Sequence, residues 1–336
     1  MTFAITGANG FLGVHIIHHL LNQGHQVRAI IRPRASLSEF ELVSGWYTMD
    51  EATKSNLSWH ECELYDVVGL EDVIQGCNYV IHLAGVISYL QKDLERMITV
   101  NQEYTANVIN VAKDVGVIKL LYCSSIAAIS KSTKGDLIVE DTEWDNEIAH
   151  SNYGYTKYLG ECELWRAKEE GLSTIAINPG IILGYGNWNK GSNKLFKNAA
   201  TGFPFYSNGE TGWVGVQDVA RIVEQLCLSD ISGERFILVS ENKSFKDVAF
   251  NMSTSLGRKN PSIEIKGILY RLVYLIVSLK EFLGLGGMLS KETVRASVAV
   301  NSFSSTKIKD VLKFDFESIN RVINSACEEY KKSPPA

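Results

Sequence analysis

In the first half of the 336-residue chain, short β-branched runs alternate with segments whose apolar positions recur at helical spacing. Thr2–Thr6, Val27–Ile31, Tyr79–Leu83, Leu120–Ser124 and Thr174–Asn178 read as strands, and Phe11–Asn22, Leu70–Gln75, Glu95–Val115 and Tyr153–Glu169 as helices. This alternation predicts an α/β fold built on a Rossmann-type doubly wound parallel sheet. After about Gly184 the rhythm breaks. Glycine, asparagine and aromatic residues crowd Gly184–Trp213, and the remainder mixes helices with a short strand at Arg235–Val239. The expected organisation is a dinucleotide-binding domain over 1–183 and a smaller, partly discontinuous C-terminal α/β substrate domain over 184–336, with segments from about 211–240 returning to the sheet edge.

The run Gly267–Met288 is apolar enough to raise a membrane question, but Arg271 and Lys280 interrupt it. The eight uncharged residues between them fall far short of the ~20 needed to span a bilayer. A buried or substrate-covering helix is expected there, in preference to a peripheral membrane contact. Composition changes the picture little: 45% hydrophobic and 21% charged residues suit a globular chain with a large core. A net charge of -5 offers no basic stripe for nucleic acid, so a small-molecule partner is expected. Six scattered cysteines without CxxC or a His/Cys cluster indicate neither a metal site nor a disulfide framework, and with no signal-like N-terminus they point to the cytoplasm.

Candidate chemistry begins between the first strand and first helix, at Thr6-Gly7-Ala8-Asn9-Gly10-Phe11-Leu12-Gly13. Glycines at this spacing permit a tight turn, close backbone approach to a pyrophosphate and close helix packing, with the helix N-terminus attracting phosphate. The second strand ends Ile30-Ile31-Arg32-Pro33-Arg34, so an isoleucine stands where an acid would bind a ribose 2'-hydroxyl. Arg32 and Arg34 supply two cations for a 2'-phosphate, which favours NADP(H) over NAD(H). Further along, Tyr153 and Lys157 lie four residues apart and share a helix face. A phenol of pKa about 10 is a poor acid or base at neutral pH, and an ammonium beside it would bring it towards the working range.

Together with Glu63-Leu64-Tyr65-Asp66, His82-Leu83-Ala84-Gly85, Val100-Asn101, Cys123-Ser124-Ser125, Asn178-Pro179-Gly180-Ile181 and Val216-Gln217-Asp218, these motifs resemble the extended short-chain dehydrogenase/reductase family, also called the NAD-dependent epimerase/dehydratase family. The resemblance implies that Ser125 hydrogen-bonds the reacting oxygen, Tyr153 exchanges its proton, Lys157 also binds the nicotinamide ribose, and Asn101 supports a water relay or the cofactor-side backbone. It places Glu63 near the adenine amine, Leu64 beneath the adenine, and Leu83, Ala84, Gly85, Asn178, Pro179, Gly180 and Ile181 along the cofactor. His82 reads equally as a core histidine, and Asp218 as a helix cap. Homodimers formed through helices such as Glu95–Val115 and Tyr153–Glu169 are frequent among such proteins.

Dehydratases of this kind carry Thr-Asp-Glu at the serine position, whereas this chain has Ser125-Ile126-Ala127 and so lacks the extra acid and base that elimination needs. Val27–Arg32, the Gly184-Tyr185-Gly186 turn and the apolar C-terminal segment resemble the branch with dihydroflavonol 4-reductase-like members. The expected function is NADP(H)-dependent interconversion of a carbonyl and an alcohol on a rather apolar substrate. A nucleotide-sugar epimerase, with Asn178 and Lys190 meeting a pyrophosphate, is the first alternative, and a non-catalytic NADP(H)-sensing protein the second. Candidate substrate contacts are Ser88, Tyr89, Ile126, Tyr155, Trp188, Tyr206 and Trp213.

Overall fold

The computed structural model describes residues 1–47, 49–130, 137–282 and 290–332. Seven parallel strands form its central sheet, in the order Glu234–Leu238, Thr174–Pro179, Lys119–Cys123, Tyr79–His82, Thr2–Thr6, Gln26–Ile31 and Leu57–Glu61. The direction of winding reverses between Thr2–Thr6 and Tyr79–His82, whose ends are in register with Thr6 opposite His82. Loops leaving the carboxyl ends of those two strands run to opposite sides. They open the crevice in which doubly wound sheets bind ligands.

Both sheet faces are buried, as βαβ connections require. On one face Ile16, Ile17 and Leu20 from helix Phe11–Asn22, with Val219 and Val223 from helix Val216–Leu228, pack on Phe3, Ile5 and Ile177. On the other, Leu70, Val108, Ile109 and Leu164 from three helices cover Ala4, Val80 and Tyr122. Beyond Pro179, a three-stranded sheet sets Glu210–Gly215 between Ile181–Leu183 and Glu241–Ser244. A separate cluster that includes Phe196, Trp213, Met252 and Ile323 fills this part of the chain.

Three local expectations change. Leu57–Glu61 is an edge strand that the sequence pattern does not disclose, because Leu-Ser-Trp-His-Glu is only partly buried and has no apolar run. The helix expected over Glu95–Val115 is interrupted: Leu94–Ile98 and Tyr104–Asp114 are joined by a π-helical turn over Thr99–Glu103. Helix Gly267–Phe282 is not buried, for Ile268, Leu272, Leu275, Ile276 and Leu279 are all more than half exposed. The remainder of the apolar run, 283–288, lies outside the described residues.

Candidate active site

The glycine turn fits a phosphate group. Gly7 has φ +67°, and a Cβ there would lie 2.7 Å from the Ala84 amide nitrogen, so only glycine lets the turn close on the neighbouring strand's exit. The first bond of the following helix runs from Val14 N to Gly10 O, which leaves the amides of Phe11, Leu12 and Gly13 outside the helical ladder. Gly10 offers no capping side chain and the first turn holds no acid. An anion at this helix end would therefore meet unsatisfied donors and the positive end of the dipole. Asn9 is committed elsewhere, donating to Ser36 O at 3.0 Å.

At the next strand exit Ile31 is buried, whereas Arg32 and Arg34 are exposed on the loop, Arg34 with φ 60°. The Arg34 amide donates to the Glu61 carboxylate at 3.2 Å. Glu61 faces Ile31 in the adjacent strand, and since the sequence pattern does not reveal that strand it does not reveal this acid either. Of the residues following it, Leu64 is buried in the core while its carbonyl accepts from Asn107, and Glu63 is half-buried.

His82 proves to be a satisfied core residue. Its ring lies between the Thr6 hydroxyl at 2.6 Å and the Thr105 hydroxyl at 3.0 Å, with no exposure. Burial, reinforced by the charge of Lys157, pushes its pKa down to about 3, so the imidazole is neutral. Beyond the strand the chain passes through half-buried Leu83 and Ala84 to exposed Gly85. Asn101 sits in the π-helical turn and holds this exit: its Oδ1 accepts from Val86 N at 2.7 Å, and its Nδ2 donates to Val86 O at 2.9 Å and Thr156 Oγ1 at 3.0 Å. The extra residue per turn of a π segment turns a side chain out of the helical register. Here Asn101 ties the cofactor-side loop to the helix bearing Tyr153.

That helix, Asn152–Glu169, starts at Ser151, whose hydroxyl accepts from Gly154 N at 2.9 Å. Gly154 decides where the helix lies. A Cβ there would come within 2.2 Å of the Ala127 carbonyl oxygen, in the short helix that follows Ser125. The close contact brings the Tyr153 end of the helix against the Ser125 turn. Ser125 Oγ accepts from Ala127 N at 3.1 Å.

Lys157 is buried, 3% exposed, with its charge against the central sheet. Its Nζ stands 4.2 Å from the centroid of the Tyr122 ring. Burial lowers its pKa to about 8, against the influence of Cys123 and Glu161. Burial also raises the Tyr153 phenol above its ordinary value, helped by Tyr89 and Cys123 and opposed by the Ser125 side chain. The phenol is held protonated, and the ammonium does not draw it towards neutrality.

Asn178 is fully buried and donates to Ser125 O at 2.9 Å and to Glu161 Oε1 at 2.6 Å, so it braces the strand end carrying Ser125 against the Tyr153 helix. Glu161 in turn pairs with Arg235 at 3.2 Å. Pro179 is buried; Gly180 and Ile181 are half-buried where the main sheet gives way to the smaller one. Tyr89 is partly exposed, its ring 6.1 Å from that of Tyr153 and edge-on to it. Ser88 donates to Asp93 at 2.5 Å, and Ile126 is half-buried next to Ser125. Tyr155 points to the other side of the helix, towards Trp144. Tyr206 packs on Phe250.

Trp188 and Trp213 lie inside the hydrophobic cluster of the C-terminal part, 3% and 0% exposed, and Trp213 donates to Lys243 O. Neither offers a face to a ligand, because the aromatic-rich loops that suggested a binding wall instead fill a core. Asp218 does not cap its own helix, which starts at Gly215; it accepts from Glu317 N at 2.9 Å and pairs with Arg221.

A family model described as the NAD dependent epimerase/dehydratase family matches residues 3–236. A Synechocystis sp. protein carrying the name dihydroflavonol 4-reductase is 29% identical over 273 residues, covering 77% of this chain and 74% of that protein. Cinnamoyl-CoA reductase 1 of Petunia hybrida is 29% identical over 226 residues, 64% of this chain and 66% of its own length. Among solved structures, gox2253 superposes with a TM-score of 0.80 at 25% identity, covering 99% of this chain and 98% of that one. MoeE5, solved in complex with UDP-glucose and NAD, superposes over 100% of both chains with a TM-score of 0.76 at 18% identity, a likeness of fold.

Proposed function

We propose, since this chain belongs to the NAD-dependent epimerase/dehydratase family of short-chain dehydrogenase/reductase-type enzymes, that it is an NADP(H)-dependent reductase of an apolar carbonyl compound. The observation that carries this reading is the half-buried Tyr153, its phenol held protonated, on a helix packed closely against the Ser125 turn at the crevice of a dinucleotide fold. A phenol held protonated is ready to donate. Carbonyl reduction needs a donor at the oxygen, whereas alcohol oxidation would need the phenolate first.

The nicotinamide cofactor, when bound, supplies the hydride. This chain's residues do the remainder. The turn Gly7–Gly13 would hold the pyrophosphate at the helix N-terminus, and the exposed Arg32 and Arg34 would take the 2'-phosphate as charge-assisted donors. Ser125 would hydrogen-bond the substrate oxygen and Tyr153 would pass its proton to it, while Lys157 would bind the ribose hydroxyls. Asn101, Asn178 and Gly154 position these groups through Val86, the Ser125 carbonyl and the Ala127 turn. Ser88, Tyr89 and Ile126 border the reacting end, and their mixed apolar character suits an aromatic or alicyclic substrate better than a sugar nucleotide. The named reductases among the relatives support that direction.

The test is a screen of aryl and alicyclic aldehydes, ketones and aryl acyl-CoA thioesters with NADPH and NADH. NADPH-dependent turnover on at least one of them is expected. A purified protein that retains NAD, consumes no reduced cofactor and epimerises a sugar nucleotide would refute the proposal.

A further inference from the structure

Helix Gly267–Phe282 leaves its most apolar face uncovered. Ile268 is 76% exposed, Leu275 65%, Leu279 57%, Ile276 54% and Leu272 51%. These residues follow the i, i+4, i+7, i+8, i+11 spacing of one helical stripe. Val277, 5% exposed, lies on the opposite side, so the helix is docked on the protein by its back and turns its stripe to solvent. Soluble proteins rarely display a contiguous apolar face of this kind without an occupant.

Charge identifies the occupant. At 100° per residue, the exposed Arg271 and Lys280 fall about 80–100° to either side of the stripe's centre, one on each flank. The acids nearest in sequence are already paired: Glu281 with Lys291, and Glu264 with Lys266, which is itself exposed. An apolar stripe edged on both sides by cations is the pattern of a helix lying in a membrane interface. The stripe enters the acyl region and the basic side chains reach the headgroups. With 16 residues the helix is about 24 Å long, too short to cross but suited to lying in the plane. Among the described residues no helix is long and apolar enough to cross a membrane. A second copy of this chain would have to bury Arg271 and Lys280 against their own like charges, which disfavours a symmetric pairing of this face.

We infer that helix Gly267–Phe282 is an in-plane docking element for an anionic lipid bilayer surface. The helix that carries this face is tied to the crevice from its docked side. Tyr274 accepts from Arg295, and Glu292 in the same short helix as Arg295 accepts from the backbone of Asn152, the residue before Tyr153.

The test is flotation of the full chain with phosphatidylcholine vesicles, with and without phosphatidylglycerol, at low and high salt. Wild type is expected to float with the anionic vesicles and to release as salt rises. The double variant Leu272→Asp/Leu275→Asp should lower the partition coefficient by at least about a hundredfold, with circular dichroism, thermal midpoint and NADPH binding unchanged. The milder Arg271→Gln/Lys280→Gln pair should keep its fold and lose the preference for anionic vesicles. Absence of wild-type flotation on either vesicle would overturn the inference. So would flotation that the folded aspartate variant retains, or a wild-type dimer that this variant dissociates while vesicles bind neither protein.

Discussion

Lys157 Nζ lies 4.2 Å from the centre of the Tyr122 ring, held by the face of an aromatic residue in the central sheet. Its burial brings the lysine's pKa down to about 8. Below that value the charged ammonium would hold the ribose hydroxyls, as proposed above; above it the charge is gone. The pH profile of kcat/KM for reduction should accordingly fall as pH rises through about 8. Lys157→Arg, which cannot lose its charge in this range, should remove that limb even if its overall activity is lower. Initial rates across pH with saturating NADPH check this.

Gly154 fixes the approach of the Tyr153 helix to the Ser125 turn, because an added methyl would stand 2.2 Å from Ala127 O. Gly154→Ala should displace Tyr153 from Ser125 and cost roughly a hundredfold in kcat, in proportion to a shift of about 1 Å at the reacting group. NADPH affinity, to which the glycine turn and Arg32/Arg34 are proposed to contribute most, should fall by much less than kcat. Comparing kcat with the NADPH dissociation constant separates the two.

Much of this arrangement is legible in the chain. Regular βα alternation gives the sheet, the glycine turn marks its switch point, and the Tyr153/Lys157 spacing marks a shared helix face. What escapes is long-range and local in origin. Leu57–Glu61 has no apolar run, so Glu61 beside Arg34 goes unseen. The π-helical turn at Asn101 depends on tertiary ties to Val86 and Thr156 that no local pattern reports. Trp188 and Trp213 sit in glycine-rich segments that resemble ligand loops, yet their burial serves a core. Lys157 matches its motif by position, while burial and Tyr122 decide where its charge rests.

Arg32 and Arg34 stand exposed at the second strand's exit, with the Glu61 carboxylate bound to the Arg34 amide. Arg32→Ala/Arg34→Ala should raise KM for NADPH by about tenfold to a hundredfold, the worth of one charge-assisted contact, and leave KM for NADH nearly unchanged. Glu61→Gln should act in the reverse sense, since it removes a negative charge close to where a 2'-phosphate would lie. Steady-state kinetics with both cofactors decide the matter.

Three buried histidines make the fold acid-sensitive. His15 and His82 have pKa values lowered to about 3 and His18 to about 4, chiefly by burial. Between those values and the unfolded value near 6.5, the unfolded chain binds more protons than the folded one. Stability should therefore fall as pH drops below about 6.5, each histidine costing about 1.4 kcal/mol per unit of pH in that window. Urea midpoints measured from pH 7 to pH 4 should decline, and the decline should be shallower in His82→Gln, if that variant folds.

The most direct measurement is the initial rate of NADPH consumption by wild type and Tyr153→Phe on a carbonyl compound found in the substrate screen, with cofactor binding measured on both proteins. Removing the phenolic hydroxyl alone should slow turnover about a hundredfold to ten-thousandfold while NADPH still binds. Equal turnover by the two proteins would contradict Tyr153 as the proton donor, and with it the reductase chemistry built on Ser125 and Tyr153.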